Sequence, residues 1–341
     1  MPPSGRSSAS TTSRMMRLGL VGIGCHGHRH RWERMASRRQ APCHACRMAR
    51  QLAAGTPDGR TLDVYVDGPE SGIPLLFHNG TPSSGQLFGP FVAAASQRGL
   101  RMVSFSRAGY GSSTRNSGRR VADVVPDVAA ALDQLGAHRF YTLGWSGGGP
   151  HALACSALLP ARLIGAATVG GLAPYDAEGL DWMAGMGQEN IAAFSAALAG
   201  DAALRPFLEV VGPSFATVTA DEVAERLAKL VADVDRSAIS GESAAWLAEM
   251  FRESVRNGIW GWFDDELAFV RPWGFDLGAI NVPVAIWQGA QDRNTPFAHG
   301  EFLALHIPGV RPHLLPDHGH LSLGVDSFGR ILDDLLTIAP A

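Results

Sequence analysis

A hydroxyl attacks only where its proton can be taken away, so the residues that matter first are a serine on a tight turn and an imidazole able to reach it. Gly144, Ser146 and Gly148 form a single G-x-S-x-G pattern, set between an apolar run ending at Gly144 and a helical one, Pro150 to Leu159. A strand-to-helix turn of this kind brings its flanking positions close together, which is why glycine is needed there. The helix that follows aims its N-terminus at charge developing beside the serine.

A serine so placed needs a base and an acid to orient it, each in a loop after a later strand. Asp292 follows the apolar run Val282 to Trp287 by way of Gly289, and His320 follows Gly319 after the run Pro312 to Leu315. Imidazole titrates near neutral pH and can take the serine proton and return it, while the carboxylate fixes its tautomer. His318 is the rival base, Asp317 and Asp181 are rival acids, and His151 reads as a packed helix residue. Two backbone amides must hold the tetrahedral oxyanion. Gly147, next to the serine, supplies one, and Thr81 the other, because Gly80 and Pro82 shape the turn around its amide in the loop His78 to Ser84.

These loops need a scaffold. From Thr61 onward, strand-like runs alternate with helical patterns, which implies parallel strands joined by crossover helices, an α/β fold with a mostly parallel central sheet flanked by helices. The expected strands are Leu62 to Val66, Pro74 to His78, Met102 to Phe105, Phe140 to Gly144, Leu163 to Val169, Val282 to Trp287 and Pro312 to Leu315. Val121, Val124, Val125, Val128, Leu132 and Leu135 recur at helical spacing, as do Leu323, Phe328, Ile331, Leu332 and Leu335. Strand patterns vanish between Gly171 and Pro272, where Asp221 to Val234 and Glu242 to Val255 read as helices. The core is therefore 49–171 with 272–341, and 172–271 is a helical insertion after the sixth strand, over the carboxyl ends of the strands.

Composition narrows the class. Residues 1–50 carry ten of the 29 basic residues and a single acid, leaving 19 basic against 31 acidic residues in the rest. An acidic body argues against nucleic acid as the main partner. No run of about 18 apolar residues exists, so a membrane-spanning helix is not expected. Cys25, Cys43 and Cys46 lie in the N-terminal segment and leave only Cys155 in the body, which excludes a disulfide framework there and fits a reducing cytoplasm. Residues 1–48 read as disordered, or as an extension preceding a real start at Met48. Their cysteines and histidines match no standard zinc spacing.

Taken together, the loop at 78–82, the stretch Ser106 to Ser112, the elbow at 144–148, Gly289 to Asp292 and Gly319 with His320 resemble the α/β-hydrolase superfamily over about residues 60–341. They resemble most its small capped members of the esterase, proline-iminopeptidase-like and perhydrolase-like kind. Two departures stand out, Asn79 where such proteins often have His or a His-Gly pair, and Ser106 where many have Asp, and these imply altered loop hydrogen bonding. A serine nucleophile also counts against epoxide-hydrolase or dehalogenase chemistry, in which a carboxylate attacks.

The resemblance implies a serine hydrolase with Ser146, Asp292 and His320 as triad, acting on an ester, or less readily an amide or carbon–carbon bond, of a small apolar substrate, with no metal or organic cofactor. Trp145, Trp182, Phe251 and Trp260 are the expected pocket residues, and Arg252, Arg256 and Arg271 either grip a substrate carboxylate, are solvated, or pair with Glu249, Asp264 and Asp265. The alternatives are a hydrolase-fold ligand sensor that binds a partner with little turnover, and a cofactor-free perhydrolase.

Overall fold

The computed structural model describes residues 49–239 and 241–339. The basic N-terminal segment, with its cysteines, its histidines and Met48, lies outside the described residues.

Eight strands form one sheet: β1 (Arg50–Gly55), β2 (Thr61–Asp67), β3 (Ile73–His78), β4 (Leu100–Phe105), β5 (Phe140–Trp145), β6 (Leu163–Val169), β7 (Val284–Gly289) and β8 (Arg311–Leu315). Their order is β1-β2-β4-β3-β5-β6-β7-β8, antiparallel from β1 to β4 and parallel beyond. The seven strands read from the sequence are β2 to β8, and β1 is an addition. Every residue of β5, β6 and β7 is buried, because helices cover both faces, which is why these strands read as unbroken apolar runs.

On one face lie α1 (Gly89–Ser96) and α12 (Phe328–Ile338), packing Phe91, Phe328, Ile331 and Leu335 onto Leu75, Phe77, Tyr141 and Leu143. The other face carries α2 (Val125–Asp133), α3 (Gly149–Leu158) and α10 (Phe297–His306), which set Val128, Leu132, Leu153 and Leu303 against Leu76, Val103, Phe140 and Ile286. Leu75 and Leu76 thus serve opposite cores, as alternation along a strand dictates. The stretch from Val121 begins as a 3-10 turn, Val121–Val124, before α2, with Pro126 in the helix's first turn.

The sheet's order reverses between β3 and β5, the two strands leading to Thr81 and Ser146. Ligands bind outside the carboxyl ends of parallel strands at such a switch point. Between β6 and β7 the chain forms α4 (Gln188–Leu198), α5 (Asp201–Val211), α6 (Pro213–Ala216), α7 (Ala220–Leu230), α8 (Gly241–Ser254) and α9 (Trp260–Phe269). Thr219 caps α7 reciprocally with Glu222, accepting from its amide at 3.3 Å while the Glu222 carboxylate accepts from the Thr219 amide at 2.8 Å. This helix stops earlier than its sequence pattern implies, because Val231 is already extended.

One buried ion cluster fastens α9 to the loops above the sheet. Asp265, fully buried, lies 2.6 Å from Arg107 Nη2 and 2.6 Å from Arg119 Nη2, and accepts from Tyr110 Oη at 2.9 Å and Thr81 Oγ1 at 2.8 Å. Burial pushes its carboxyl up, but the two guanidiniums outweigh that and hold it well below the usual carboxylate range. Arg107 also donates to the carbonyls of Asn79 (2.6 Å) and Gly80 (2.8 Å), so the loop after β3 is held at three successive residues. Asp264, next in line, pairs with Arg115 at 2.7 Å.

Removing a carboxylate that neutralises two buried cations costs about 3–5 kcal/mol, against about 0–1 kcal/mol for an exposed pair. Asp265→Ala is therefore expected to lower the urea midpoint sharply, and Asp201→Ala, which breaks only the exposed pair with Arg271, to leave it nearly unchanged. Equal midpoints for the two variants would contradict this role for the cluster.

Candidate active site

Ser146 leaves β5 at φ 56°, the positive-φ, non-glycine position among the described residues. A side chain pays about 1–2 kcal/mol for that left-handed backbone, so the surroundings must impose it. They do so by crowding. A Cβ on Gly144 would overlap the Gly148 carbonyl, and one on Gly148 would overlap the carbonyl of His78 on β3. The turn Ser146–Gly148 then runs directly into α3, leaving Ser146 partly exposed while its neighbours are buried.

Asp292 and His320 meet on the loops after β7 and β8. His320 Nδ1 lies 2.7 Å from Asp292 Oδ2, and both side chains are buried. The other carboxylate oxygen accepts the amides of Asn294 and Thr295, each at 2.8 Å, which fixes the acid in place. Burial pulls the His320 pKa down, but the charge and hydrogen bond of Asp292, with the charge of Asp235, outweigh it and raise the value above 6.5.

Asp235 is a residue the sequence did not mark. It belongs to the helical insertion, is fully buried, and accepts the amides of His320 (2.9 Å), Leu321 (3.0 Å) and Ser322 (2.8 Å) and the Ser322 hydroxyl (2.7 Å). It thus caps the N-terminus of α11 (His320–Asp326), the helix on which the imidazole is mounted.

Ser146, His320, Thr81 and Trp145 line one cavity of about 720 Å³. Among the described residues no hydrogen bond is made to Ser146 Oγ, and hydroxyl and imidazole line the same cavity. Gly147 and Thr81 are neighbours, since a Cβ on Gly147 would lie 2.5 Å from Thr81 Oγ1. The Thr81 hydroxyl is engaged by Asp265 and Arg107, leaving the loop's backbone to face the serine, with a Gly80 Cβ position 3.2 Å from Ser146 Cβ.

The rivals lie elsewhere. His318 is half-buried and 3.4 Å from Ser327 Oγ, Asp317 and Asp181 are exposed, and His151 is buried beneath the ion cluster, where burial pulls its pKa down to about 4. Of the expected pocket residues, Trp145 and Phe251 line the cavity, while Trp182 and Trp260 do not. Trp182 is core packing, edge-on to Phe194 and His299 and donating to the Ala173 carbonyl at 2.7 Å. Trp260 sits under the Arg115 guanidinium, 4.2 Å from its ring centre.

Of the alternatives open for Arg252, Arg256 and Arg271, pairing is found, but with other partners than Glu249, Asp264 and Asp265. Arg256 pairs with Glu253, Arg271 with Asp201, and Arg252 donates to the Val218 carbonyl, whereas the acids at 264 and 265 take Arg115, Arg107 and Arg119. Asn79 Nδ2 donates to the Ser84 carbonyl at 2.8 Å and Ser106 Oγ accepts the Gly85 amide at 3.0 Å, so both departures serve loop hydrogen bonding. No cluster of His, Cys, Asp or Glu suited to a metal occurs among the described residues, and no helix among them is long and apolar enough to cross a membrane.

Comparison with known proteins agrees with this architecture. The family model described as alpha/beta hydrolase fold matches residues 73–327. The uncharacterized hydrolase YcgS of Bacillus subtilis (strain 168) is 26% identical over 282 residues, 80% of this chain and 93% of that protein. Among solved structures, a thermophilic esterase from Thermogutta terrifontis superposes with a TM-score of 0.63 at 19% identity, covering 85% of this chain and all of that one. The enol-lactonase from Burkholderia xenovorans LB400 gives 0.61 at 20%, covering 84% and 100%.

An imidazole whose pKa is raised must lose its proton before it can accept one, so kcat/KM is expected to fall on acidification through a pKa above 6.5. In Asp235→Asn that limb should move to lower pH, because a charge favouring the imidazolium is gone. Asp292→Asn should lower kcat by about 10⁴-fold. An acid limb that stays in place in both variants would contradict the assignment of His320.

Proposed function

This chain belongs to the α/β-hydrolase family, and from that premise we propose that it is a serine hydrolase cleaving an ester of a small, largely apolar substrate through an acyl-enzyme. The observation that carries this reading is the left-handed Ser146, held on a glycine-walled turn in the same cavity as an imidazole bonded to a buried carboxylate. The apolar lining of that cavity, with Phe207, Phe215, Trp246 and Phe251, supports the substrate class.

In this reading His320 Nε2 takes the Ser146 proton as Oγ adds to the ester carbonyl, while Asp292 holds Nδ1–H and stabilises the imidazolium. The oxyanion is received by the amides of Gly147 and Thr81 at the N-terminal end of α3, where the helix dipole favours negative charge. His320 then returns the proton to the departing alkoxide, which leaves as alcohol. A water molecule, deprotonated by the same imidazole, releases the acid and restores Ser146. The tie from Asp265 and Arg107 to the loop at 79–81 keeps the second donor fixed, so little reorganisation accompanies the charge as it develops.

A panel of p-nitrophenyl esters, proline anilides and vinylogous diketones tests this. Short and medium acyl esters should be turned over with a burst of nitrophenol, and Ser146→Ala should lose about 10⁶-fold in kcat. Turnover of the anilides or diketones with no ester hydrolysis would overturn the ester assignment, and undiminished hydrolysis by Ser146→Ala would overturn the mechanism.

A further inference from the structure

The catalytic cavity contains a carboxyl that the reaction above does not use. Glu266, on α9, is 5% exposed and lines the cavity shared by Ser146 and His320. Its Oε1 accepts from Trp262 Nε1 one turn earlier, at 2.8 Å. Its Oε2 is buried and has no hydrogen-bond partner among the described residues. Buried polar atoms are nearly always partnered, so a free one on a residue that lines the cavity calls for a partner.

The surrounding charges identify the form this group takes. On its own helix, Asp265 is the next residue back and repels a second negative charge, though its own charge is already claimed by Arg107 and Arg119. From α4 comes Glu189 and from α7 Arg226, both exposed, and Arg226 donates to Ser214 Oγ at 3.2 Å. The acids and base of α5 are taken, Asp201 by Arg271 and Arg205 by Glu209, and on the turn before α2 Asp123 pairs with Arg120. His320 is committed to Asp292. No cation pairs with Glu266 among the described residues.

We propose that Glu266 is a substrate-binding subsite in which the carboxyl donates a hydrogen bond from Oε2 to an uncharged oxygen of the substrate, a ketone or a second ester or amide carbonyl remote from the bond being cleaved. The inference rests on the serine-hydrolase reading and narrows its substrate class, from apolar esters in general to apolar esters bearing a further acceptor oxygen. An isolated carboxylate is costly among aromatic side chains, whereas a neutral carboxyl can donate. Burial, against the hydrogen bond from Trp262 and helped by the charge of Asp265, pushes the Glu266 carboxyl up to about 8, so it holds its proton at neutral pH. A site built to hydrogen-bond a polar group rejects the analogue lacking it, since its own buried group is then left unpaired.

The test compares p-nitrophenyl 4-oxopentanoate, 5-oxohexanoate and 6-oxoheptanoate with the parent pentanoate, hexanoate and heptanoate on the full chain. At pH 6.5 at least one oxo ester should exceed its parent in kcat/KM by about tenfold or more. That preference should persist in Glu266→Gln, whose amide also donates, and fall to parity in Glu266→Leu. In the wild type it should fade as pH rises through about 8, and in Glu266→Gln it should not. Parent esters turned over with no oxo preference, a preference unchanged in Glu266→Leu, or one that grows with pH would overturn the subsite while leaving Ser146 in its role.

Infrared difference spectroscopy reads the same group without turnover. Ser146→Ala protein at pH 6.5 should show a protonated-carboxyl stretch that is absent when Glu266→Gln is added, and that shifts on addition of hexan-2-one. Should the wild type hydrolyse no ester while that band is present and shifts, the serine-hydrolase reading fails and Glu266 remains a hydrogen-bond donor to a carbonyl ligand. A missing band, or one indifferent to the ketone, would sink the subsite.

Discussion

A serine with a left-handed backbone, wedged where two glycines leave no room for a Cβ, is the constraint from which the rest of this site follows. The about 1–2 kcal/mol that Ser146 costs locally is imposed by β3, β5 and α3 packing so closely that the His78 and Gly148 carbonyls occupy the space side chains would need. Because the turn sits at the reversal of strand order, the hydroxyl emerges beside the loop after β3, at the N-terminal end of α3. The loops after β7 and β8, further along the same sheet edge, then bring the imidazole of His320 to the same cavity with the Asp292 carboxylate bonded to its Nδ1. A rigid sheet thus sets positions that no single loop could hold.

Two buried acids carry that rigidity outward. Asp265 holds the loop at 79–81 through Arg107, and Asp235 caps the helix that starts at His320. Both come from the helical insertion, so the segment that walls the cavity also braces two of the loops forming its floor. Magnitudes separate these contacts from the surface pairs. The exposed pair of Arg205 with Glu209 contributes about a few tenths of a kcal/mol, whereas stranding the charges around Asp265 costs about 3–5 kcal/mol. Glu266, one residue beyond Asp265, pairs with no cation among the described residues, and the contrast between the two neighbours sets their chemistry apart.

Much of this was legible in the sequence because its signals are local. The parallel strands β5 to β7, buried on both faces, read as apolar runs, β2 to β8 are all placed to within about two residues, and the elbow declares itself through the spacing of Gly144, Ser146 and Gly148. β1 was not read, since Arg50 to Gly55 carries no β-branched or aromatic residue and lies at an edge with little apolar pattern. Trp182 and Trp260 show the limit of composition, for aromatic content says that a segment is buried but not which way each ring faces. The role of Asp235 and the true partners of Asp265 were illegible for another reason. Their partners lie 85 and 158 residues away, and nothing in a single sequence distinguishes an acid that folding will bury from one it will leave in water.

Reaction with a fluorophosphonate probe followed by peptide mapping interrogates Ser146 most directly, because the probe phosphonylates a serine only where a base and an oxyanion site activate it. The wild-type chain should be modified stoichiometrically on the peptide containing Ser146, and Ser146→Ala and denatured protein should both remain unmodified. Label found on another residue, or folded wild-type protein that does not react at all, would contradict Ser146 as the nucleophile.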